Sequence, residues 1–322
     1  MGRNILIVFI ACFLFVGGLI AQVSSVSVKL ISSVGSTTAQ IEANASAFLT
    51  ELNRAAAAHQ KPTFAAPFIS ENVRQNLSPV LDTYELFALD TEIKANTYKR
   101  EKDGLIVLQS ILLNKRTVDT SFTEELNLIF RPDGTLDDVT FSIGSQQYAK
   151  VFSAGNILDA TDLRRKQLIL DFVERFRTAY EKKDLSYLDL VFSEKALIIV
   201  GKVVQPKPSD GIKIADAVKV ERQVYSKKEY MENLKAKVFT KKWIKLGFDK
   251  VEIIRHPDPS LSMFYGVQLI QKWATPGYSD EGYLFLLIDF TNEDKPIIHV
   301  RAWEPMQVKK KDRTTLADFE FY

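Results

Sequence analysis

The sequence has little of the chemistry that marks common enzyme classes. Its only cysteine is Cys12, and its three histidines, His59, His256 and His299, stand in unrelated segments without metal-ligand spacing. It contains no glycine-rich phosphate loop, no G-x-S-x-G motif and no H-E-x-x-H motif. These absences argue against thiol chemistry, nucleotide use, serine hydrolysis and zinc proteolysis. We therefore predict neither a cofactor nor a metal.

The chain also lacks a strong net charge. It has 42 Lys and Arg residues against 40 Asp and Glu residues, and this balance of +2 is too small to indicate a nucleic-acid partner. The basic excess is concentrated between Lys202 and Lys245, where 12 basic and 5 acidic residues occur. Such a segment could attract an anionic polymer or a lipid headgroup, although a solvated lysine-rich face is the simpler interpretation.

A long apolar run stands at the N-terminus. "MGRN" supplies a positive charge, and the segment from Ile5 to Ala21 follows without a polar interruption. This pattern predicts a signal peptide over residues 1–21, cleaved after Ala21, and hence export to the periplasm or the cell surface. Because a run of this length is just long enough for a spanning helix, an uncleaved membrane anchor is the alternative.

The remainder predicts an α+β fold in two similar halves. From Thr37 an apolar residue recurs every three or four positions, which predicts a helix. Strand-like segments follow, and the second half repeats this order. The hairpins "LNLIFRPDGTLDDVTFSI" and "LFLLIDFTNEDKPIIHVRA" align without a gap when Phe130 is placed on Phe290. This internal match predicts that the two halves share one architecture.

The repeat also predicts the domain boundaries. Residues 22–36 form an extended lead-in, and tandem domains follow at 37–152 and 160–305. The second domain carries a basic insertion near 202–228. A tail over 306–322 is apolar enough at Leu316, Phe319 and Phe321 to dock on a domain or on a partner, and we favour docking within the chain.

The second half resembles a known superfamily. The segments that carry the resemblance are "RRKQLILDFVERFRTAYEKKDLSYLDLVFSEKALIIVG", "YMENLKAKVF", "VEIIRHPDPSLSMFYGVQLIQKW", "GYLFLLIDF" and "PIIHVRAWEP". Their order is similar to the NTF2-like, cystatin-like-roll superfamily, which contains ketosteroid isomerase and SnoaL-type cyclases, and to its exported members in Bacteroidota. Through the internal match, the first half resembles a degenerate copy of the same domain. The resemblance implies a long helix packed on a curved antiparallel sheet, enclosing a conical pocket, but no single activity.

The last hairpin holds the candidate site. Alternation along the strands groups the polar and aromatic residues of one sheet face, with a turn centred near Asp294: Gln271, Trp273, Tyr283, Asp289, His299, Arg301 and Trp303. This register places Asp289 opposite His299 and Leu287 opposite Arg301. Asp289 and His299 are the candidates for acid–base catalysis in an apolar cone. A cross-strand pair that only stabilises the sheet is the simpler interpretation.

We favour a non-catalytic, exported binding protein that recognises an envelope protein through its sheet faces. The alternatives are a cone that binds a small apolar ligand or works as an acid–base enzyme, and a surface-polymer binder that uses the Lys202–Lys245 segment. The catalytic aspartate and tyrosine pattern of ketosteroid isomerase has no counterpart that we can place on this sequence. A homodimer is compatible with the pattern, and membrane contact is expected only through an uncleaved N-terminal segment.

Overall fold

The computed structural model describes residues 25–64, 67–100, 103–153, 160–204 and 219–319. The predicted signal peptide and most of the basic insertion lie outside the described residues. Within them the first part of the chain forms β1 (Ser27–Leu30), α1 (Thr38–Ala57), α2 (Glu71–Leu81), β2 (Glu85–Ala88), β3 (Glu92–Lys99), β4 (Ile106–Arg116), β5 (Ser121–Phe130) and β6 (Leu136–Phe141). The second part forms α3 (Ser145–Ser153), α4 (Ala160–Glu181), α5 (Leu185–Val191), β7 (Phe192–Val204), β8 (Lys219–Tyr225), α6 (Lys227–Asn233), β9 (Lys245–Arg255), β10 (Phe264–Thr275), β11 (Tyr278–Asp289) and β12 (Ile297–Pro305). No described helix is both long and apolar enough to cross a membrane.

The strands form two six-stranded sheets, in agreement with the predicted α+β class. Sheet 1 has the order β1-β3-β4-β5-β6, with β2 pairing β4 beside β3. Sheet 2 has the order β8-β7-β12-β11-β10-β9. Neighbouring strands are antiparallel except β1 with β3 and β7 with β12, so each sheet contains one parallel pair that the sequence did not indicate. The predicted extended lead-in contains β1, which is an edge strand of sheet 1.

Helix α1 packs on sheet 1 through the predicted apolar stripe. Its buried side chains share one hydrophobic cluster with strands β2 to β6: Ile41, Ala45, Phe48, Leu49 and Leu52. Burying each of the larger side chains contributes about 1.5–3 kcal/mol to the stability of the folded state. Trp243, from the second half of the chain, also packs against this cluster.

Helix α4 packs on sheet 2 in the same way. Phe172, Phe176 and Tyr180 are buried in a second cluster with strands β7 and β9 to β12, and Leu168 lies partly buried against it. The rings of Phe176 and Tyr180 meet edge to face, with centroids 5.1 Å apart. These residues recur at helical spacing, so α4 packs on sheet 2 through one apolar stripe. We call the side of sheet 2 that faces α4 its inner face.

Under the alignment found in the sequence, the two hairpins share a register at the end away from the turn and differ nearer the turn, where their bulges stand at different positions. Leu126 pairs with Phe141 in sheet 1, and Leu286 pairs with Arg301 in sheet 2. The segments "FISEN" and "VFSEK", which follow the helices of the two halves, form equivalent parallel contacts. Ile69 forms a parallel bridge to Leu136, and Phe192 pairs in parallel with Ile298. The internal sequence match thus corresponds to similar strand geometry over part of each hairpin.

The second side of α4 lies against sheet 1 and is polar. Six side chains make what we call the buried polar seam: Lys115, Glu124 and Asn127 of sheet 1, and Glu174, Arg177 and Glu181 of α4. Lys115 pairs with Glu181, and Arg177 pairs with Glu124. Burying a charge destabilises the folded state unless the charge is paired and hydrogen-bonded, and these side chains pair with each other. Helix α4 therefore packs against both sheets.

The C-terminal tail covers part of the outer face of sheet 2, which is the side away from α4. Leu316 is buried with Phe285 and its neighbours, and Phe319 stacks on Phe285 with ring centroids 5.7 Å apart. The prediction of intramolecular docking is confirmed for these two side chains. Phe321 lies outside the described residues.

Candidate functional site

The seven predicted site residues do not share one face of sheet 2. Leu286, not Leu287, pairs with Arg301, and Asp289 pairs with Ile297 rather than with His299. The predicted register is therefore wrong. A β-bulge between Leu287 and Ile288 shifts the pairing and leaves His299 as an extra residue on β12. Side chains alternate between the two faces along a strand. One extra residue therefore reverses the face of every residue beyond it, compared with a strand that has no bulge.

Asp289 and His299 lie toward the outer face. Nε2 of His299 is 3.6 Å from Oδ2 of Asp289, and both side chains are partly exposed. The imidazole lies 6.0 Å from the ring of Phe264, which packs against the outer-face cluster. Oδ1 of Asp289 accepts a hydrogen bond of 2.7 Å from the backbone N–H of Thr291. The two residues are close, as predicted, but they do not face the cone between sheet 2 and α4.

Tyr283 belongs to the outer face as well. The guanidinium of Arg313, from the tail, lies 3.3 Å from the centroid of the Tyr283 ring. A cavity of about 330 Å³ opens here between the sheet and the tail. Tyr283 is thus used by the chain itself to hold the tail.

Gln271, Trp273, Arg301 and Trp303 lie on the inner face. Arg301 is only 6% exposed, and its Nη2 donates a long hydrogen bond of 3.4 Å to Oε1 of Gln271. Its guanidinium carbon lies 5.4 Å from the centroid of the Tyr230 ring. Although burial opposes it, the neighbouring Tyr230 and Tyr180 raise the pKa of Arg301, which therefore carries its charge inside the protein.

Several buried polar atoms on this face lack partners. Nε of Arg301, Nε1 of Trp303 and Oδ1 of Asp280 have no hydrogen-bond partner in the described part of the chain. A buried donor or acceptor left unpaired costs about 1–3 kcal/mol, so these atoms would gain from a hydrogen-bond partner. The surrounding space is filled by aromatic side chains. Trp273 packs edge to face on Tyr180 at 6.1 Å, and Tyr180 shares a 2.8 Å hydrogen bond with the hydroxyl of Tyr230.

A cleft of about 750 Å³ opens beside this cluster, between the two sheets. Sheet 1 contributes Leu112 and Glu125, while sheet 2 contributes Trp273, Asp280 and further residues of β9 to β11. Trp273 and Asp280, which line the cleft, are paired across β10 and β11. Clefts between structural units are favoured positions for binding sites.

Ionisable side chains dominate the cleft. Nζ of Lys245 lies 3.4 Å from Oε1 of Glu124 and 4.0 Å from the centroid of the Phe122 ring. Although burial opposes it, Arg177, Lys115 and Lys245 lower the pKa of Glu124. Burial raises the pKa of Asp280. The cleft therefore presents fixed charges of both signs.

The described residues contain no group of three His, Cys, Asp or Glu side chains that could hold a metal ion. His59 is paired with Glu85 in sheet 1, His256 is in the loop after β9, and His299 is on β12. The charged and polar side chains of the cleft can bind and orient a polar partner.

Sequence reasoning missed the charged floor of the cleft. Glu124, Arg177 and Lys245 come from three separate elements, and only their packing brings them together. One signal was available in α4, where Glu174, Arg177 and Glu181 recur at helical spacing on the side opposite the apolar stripe. Such a stripe is usually solvated, so it did not indicate burial.

No protein-family model matches the chain, and no curated protein matches it significantly. Among solved structures, it is similar to Bd1075 of Bdellovibrio bacteriovorus, with 12% identity, a TM-score of 0.34 and coverage of 66% of this chain and 92% of that one. A putative scytalone dehydratase from Novosphingobium aromaticivorans gives 11% identity, a TM-score of 0.33 and coverage of 48% and 91%. An NTF2-like protein from Cytophaga hutchinsonii gives 11% identity, a TM-score of 0.29 and coverage of 44% and 98%.

The chain resembles NTF2-like proteins, as its sequence predicts. All of these TM-scores lie below 0.5, so no argument about activity, substrate or partner rests on the matched structures. The resemblance to NTF2-like proteins concerns the fold only. The function of the cleft and of the inner face is therefore inferred from their own residues.

Proposed function

We propose that this chain is a binding protein rather than an enzyme, and that it recognises its partner through the cleft between the two sheets. In this proposal the sheets belong to two tandem NTF2-like domains, and the protein is exported and contacts an envelope component. The observation that carries the proposal is the cleft itself, at about 750 Å³ and with lining residues from both sheets. The candidate acid–base pair, Asp289 and His299, lies elsewhere.

The chemistry of the cleft favours a macromolecular partner over a small apolar ligand. Small-molecule pockets are mostly apolar and enclose their ligand. Here Lys272 and Asp249 form an exposed ion pair at the rim, and Ser279 and Glu281 are exposed beside them. Rim charges of both signs steer and orient a polar partner surface, such as a loop or strand of an envelope protein.

The test is capture from a native envelope fraction by the chain beginning at Gln22. The variant Lys272→Glu together with Glu281→Lys reverses the rim charges, while Lys228→Glu changes an exposed lysine on α6. We expect one component to be retained by the unaltered chain and by Lys228→Glu, and to be lost with the reversed rim. Equal recovery by all three proteins would show that the cleft is not the contact surface.

A second candidate is a small anionic ligand at the inner face. Arg301 Nε and Trp303 Nε1 are buried donors without partners among the described residues, and both belong to the predicted set of site residues. Native mass spectrometry of the purified protein tests this. A bound small molecule should be lost in Trp303→Phe, which removes the indole N–H and keeps an aromatic ring, and should be kept in Trp243→Phe. A protein that carries no bound mass in any form excludes a retained ligand.

A further inference from the structure

A separate cavity of about 510 Å³ lies on sheet 1, where α1 and α2 end and β2 begins. It shares no lining residue with the cleft between the sheets. One side is apolar and is built by Leu52 and Ala55 of α1 and by Leu86 of β2. The other side carries charged residues from three segments that are distant in the sequence. The cavity is therefore amphipathic.

Glu85 organises the charged side. Its Oε1 accepts a 2.8 Å hydrogen bond from Nδ1 of His59, and its Oε2 accepts bonds of 2.8 and 2.5 Å from Nε and Nη2 of Arg116. Although burial opposes it, the hydrogen bonds from His59 and Arg116 lower the pKa of Glu85. Both oxygens of this carboxylate are thus used to hold two neighbouring donors in place.

The two donors keep capacity for a ligand. Because Nδ1 of His59 donates to Glu85, the second ring nitrogen, Nε2, remains and has no partner among the described residues. It can donate to a ligand when the imidazole is protonated. Nη1 of Arg116 likewise has none there. The guanidinium carbon of Arg116 lies 5.0 Å from the centroid of the Phe87 ring, which further restricts its orientation. The remaining rim charges, Lys61 and Asp82, pair with each other.

His59 adopts a backbone conformation that is unusual for a histidine. Its φ is +52°, in the left-handed region that normally favours glycine at a helix C-terminus. The backbone N–H groups of His59 and Gln60 donate to the carbonyl oxygens of Ala56 and Ala55, which ends helix α1. A glycine would satisfy this turn without strain, so the backbone alone does not require an imidazole here.

We propose that this cavity binds a small organic acid. The carboxylate would accept hydrogen bonds from Nη1 of Arg116 and from Nε2 of His59, whose imidazole must be protonated for both ring nitrogens to donate. The apolar body would lie against Leu52, Ala55 and Leu86. Charge-assisted hydrogen bonds to a carboxylate are stronger than neutral ones. The apolar wall selects against small inorganic anions, which would leave it in contact with water.

Histidine NMR provides the test, because the chain has only three histidines. The His59 signals are assigned with His59→Gln, and the full chain is titrated with hexanoate, hexylammonium and inorganic phosphate. We expect hexanoate to shift the His59 signals saturably, with hexylammonium and phosphate leaving them in place and the His256 and His299 signals unmoved. Absence of a saturable shift with hexanoate, or an equal shift with either other probe, would overturn the proposal.

Arginine variants supply the matched comparison. Arg116→Gln should weaken hexanoate binding about tenfold or more, which corresponds to the loss of one charge-assisted hydrogen bond. Arg131→Gln changes an arginine in the turn between β5 and β6 that is paired with Asp137 away from the cavity, and it should bind like the unaltered chain. If Arg116→Gln does not fold, Arg116→Lys takes its place. Equal affinities in the Arg116 and Arg131 variants would contradict the assignment.

Discussion

Glu174 should make the stability of this protein fall as the pH rises. The carboxylate lies in the buried polar seam, where Oε1 accepts a 2.9 Å hydrogen bond from the N–H of Ile143 and Oε2 accepts one of 2.7 Å from Nδ2 of Asn127. Burial, with Asp171 one helical turn away, raises the pKa of Glu174 from 4.5 to about 8. The folded protein therefore holds a proton that the unfolded chain releases.

The sign and size follow from proton linkage. Between the unfolded and folded pKa values the native state binds one more proton than the unfolded state, so the free energy of unfolding falls by about 1.4 kcal/mol per pH unit. The contribution of Glu174 is fully present below pH 4.5 and is lost as the pH rises toward about 8. Over the whole interval this amounts to about 5 kcal/mol, and from about pH 5.5 to 7.5 to about 3 kcal/mol.

Urea unfolding followed by circular dichroism measures this effect. Glu174→Gln keeps the shape of the side chain and an acceptor for the Ile143 N–H, but it has no proton to lose. We expect the variant to lack most of the decline of the unaltered chain between pH 5.5 and 7.5. Glu232→Gln, at an exposed position of α6, should decline like the unaltered chain. Equal slopes for Glu174→Gln and the unaltered chain would refute the reasoning.

Three further substitutions test the packing. Phe176→Ala should lower the free energy of unfolding by about 3–5 kcal/mol because it empties a fully buried site, whereas Leu190→Ala, at a 68% exposed position, should change it little in the same urea assay. Gly282→Ala should destabilise by about 1–3 kcal/mol, because its new Cβ would lie 2.4 Å from the Glu304 carbonyl oxygen. Gly247→Ala, with 3.6 Å of room, is the control, and similar melting temperatures for the two glycine variants would contradict this geometry. Phe319→Ala should lower the free energy of unfolding by about 1 kcal/mol because it loses the stacking on Phe285. A protease should then cut the tail faster, and unchanged cleavage would argue against a docked tail.

Several features of the fold could be predicted because they depend on neighbours in the sequence. The apolar stripes of α1 and α4 follow helical spacing, and both pack as expected. The gapless match between the two hairpins predicted that the halves share one architecture, and the pairs Leu126 with Phe141 and Leu286 with Arg301 correspond at the offset of that match. Nearer the turns the two registers differ, because the bulges stand at different positions. The helices α2, α3 and α5 were not predicted, since their apolar patterns are short.

The candidate site was predicted only in part. Gln271, Trp273, Arg301 and Trp303 do lie together on the inner face, but Tyr283, Asp289 and His299 lie on the outer face. The bulge at His299 separates Tyr283 and Asp289 from Arg301 and Trp303. Gln271 pairs with Gly282 in the regular ladder between β10 and β11, so Gln271 and Trp273 lie on the face opposite Tyr283 without any bulge. Alternation along one strand reveals neither effect. The pairing of β12 with both β7 and β11 decides where the extra residue is accommodated.

The sequence by itself determined the α+β class, the long apolar helices and the strand order within each hairpin, because these depend on side-chain periodicity over short distances. Only the tertiary structure decided that the polar side of α4 is buried, since burial there depends on sheet 1 covering it. It also decided which charges meet in the cleft and which meet around Glu85, because those side chains come from segments that only long-range packing brings together.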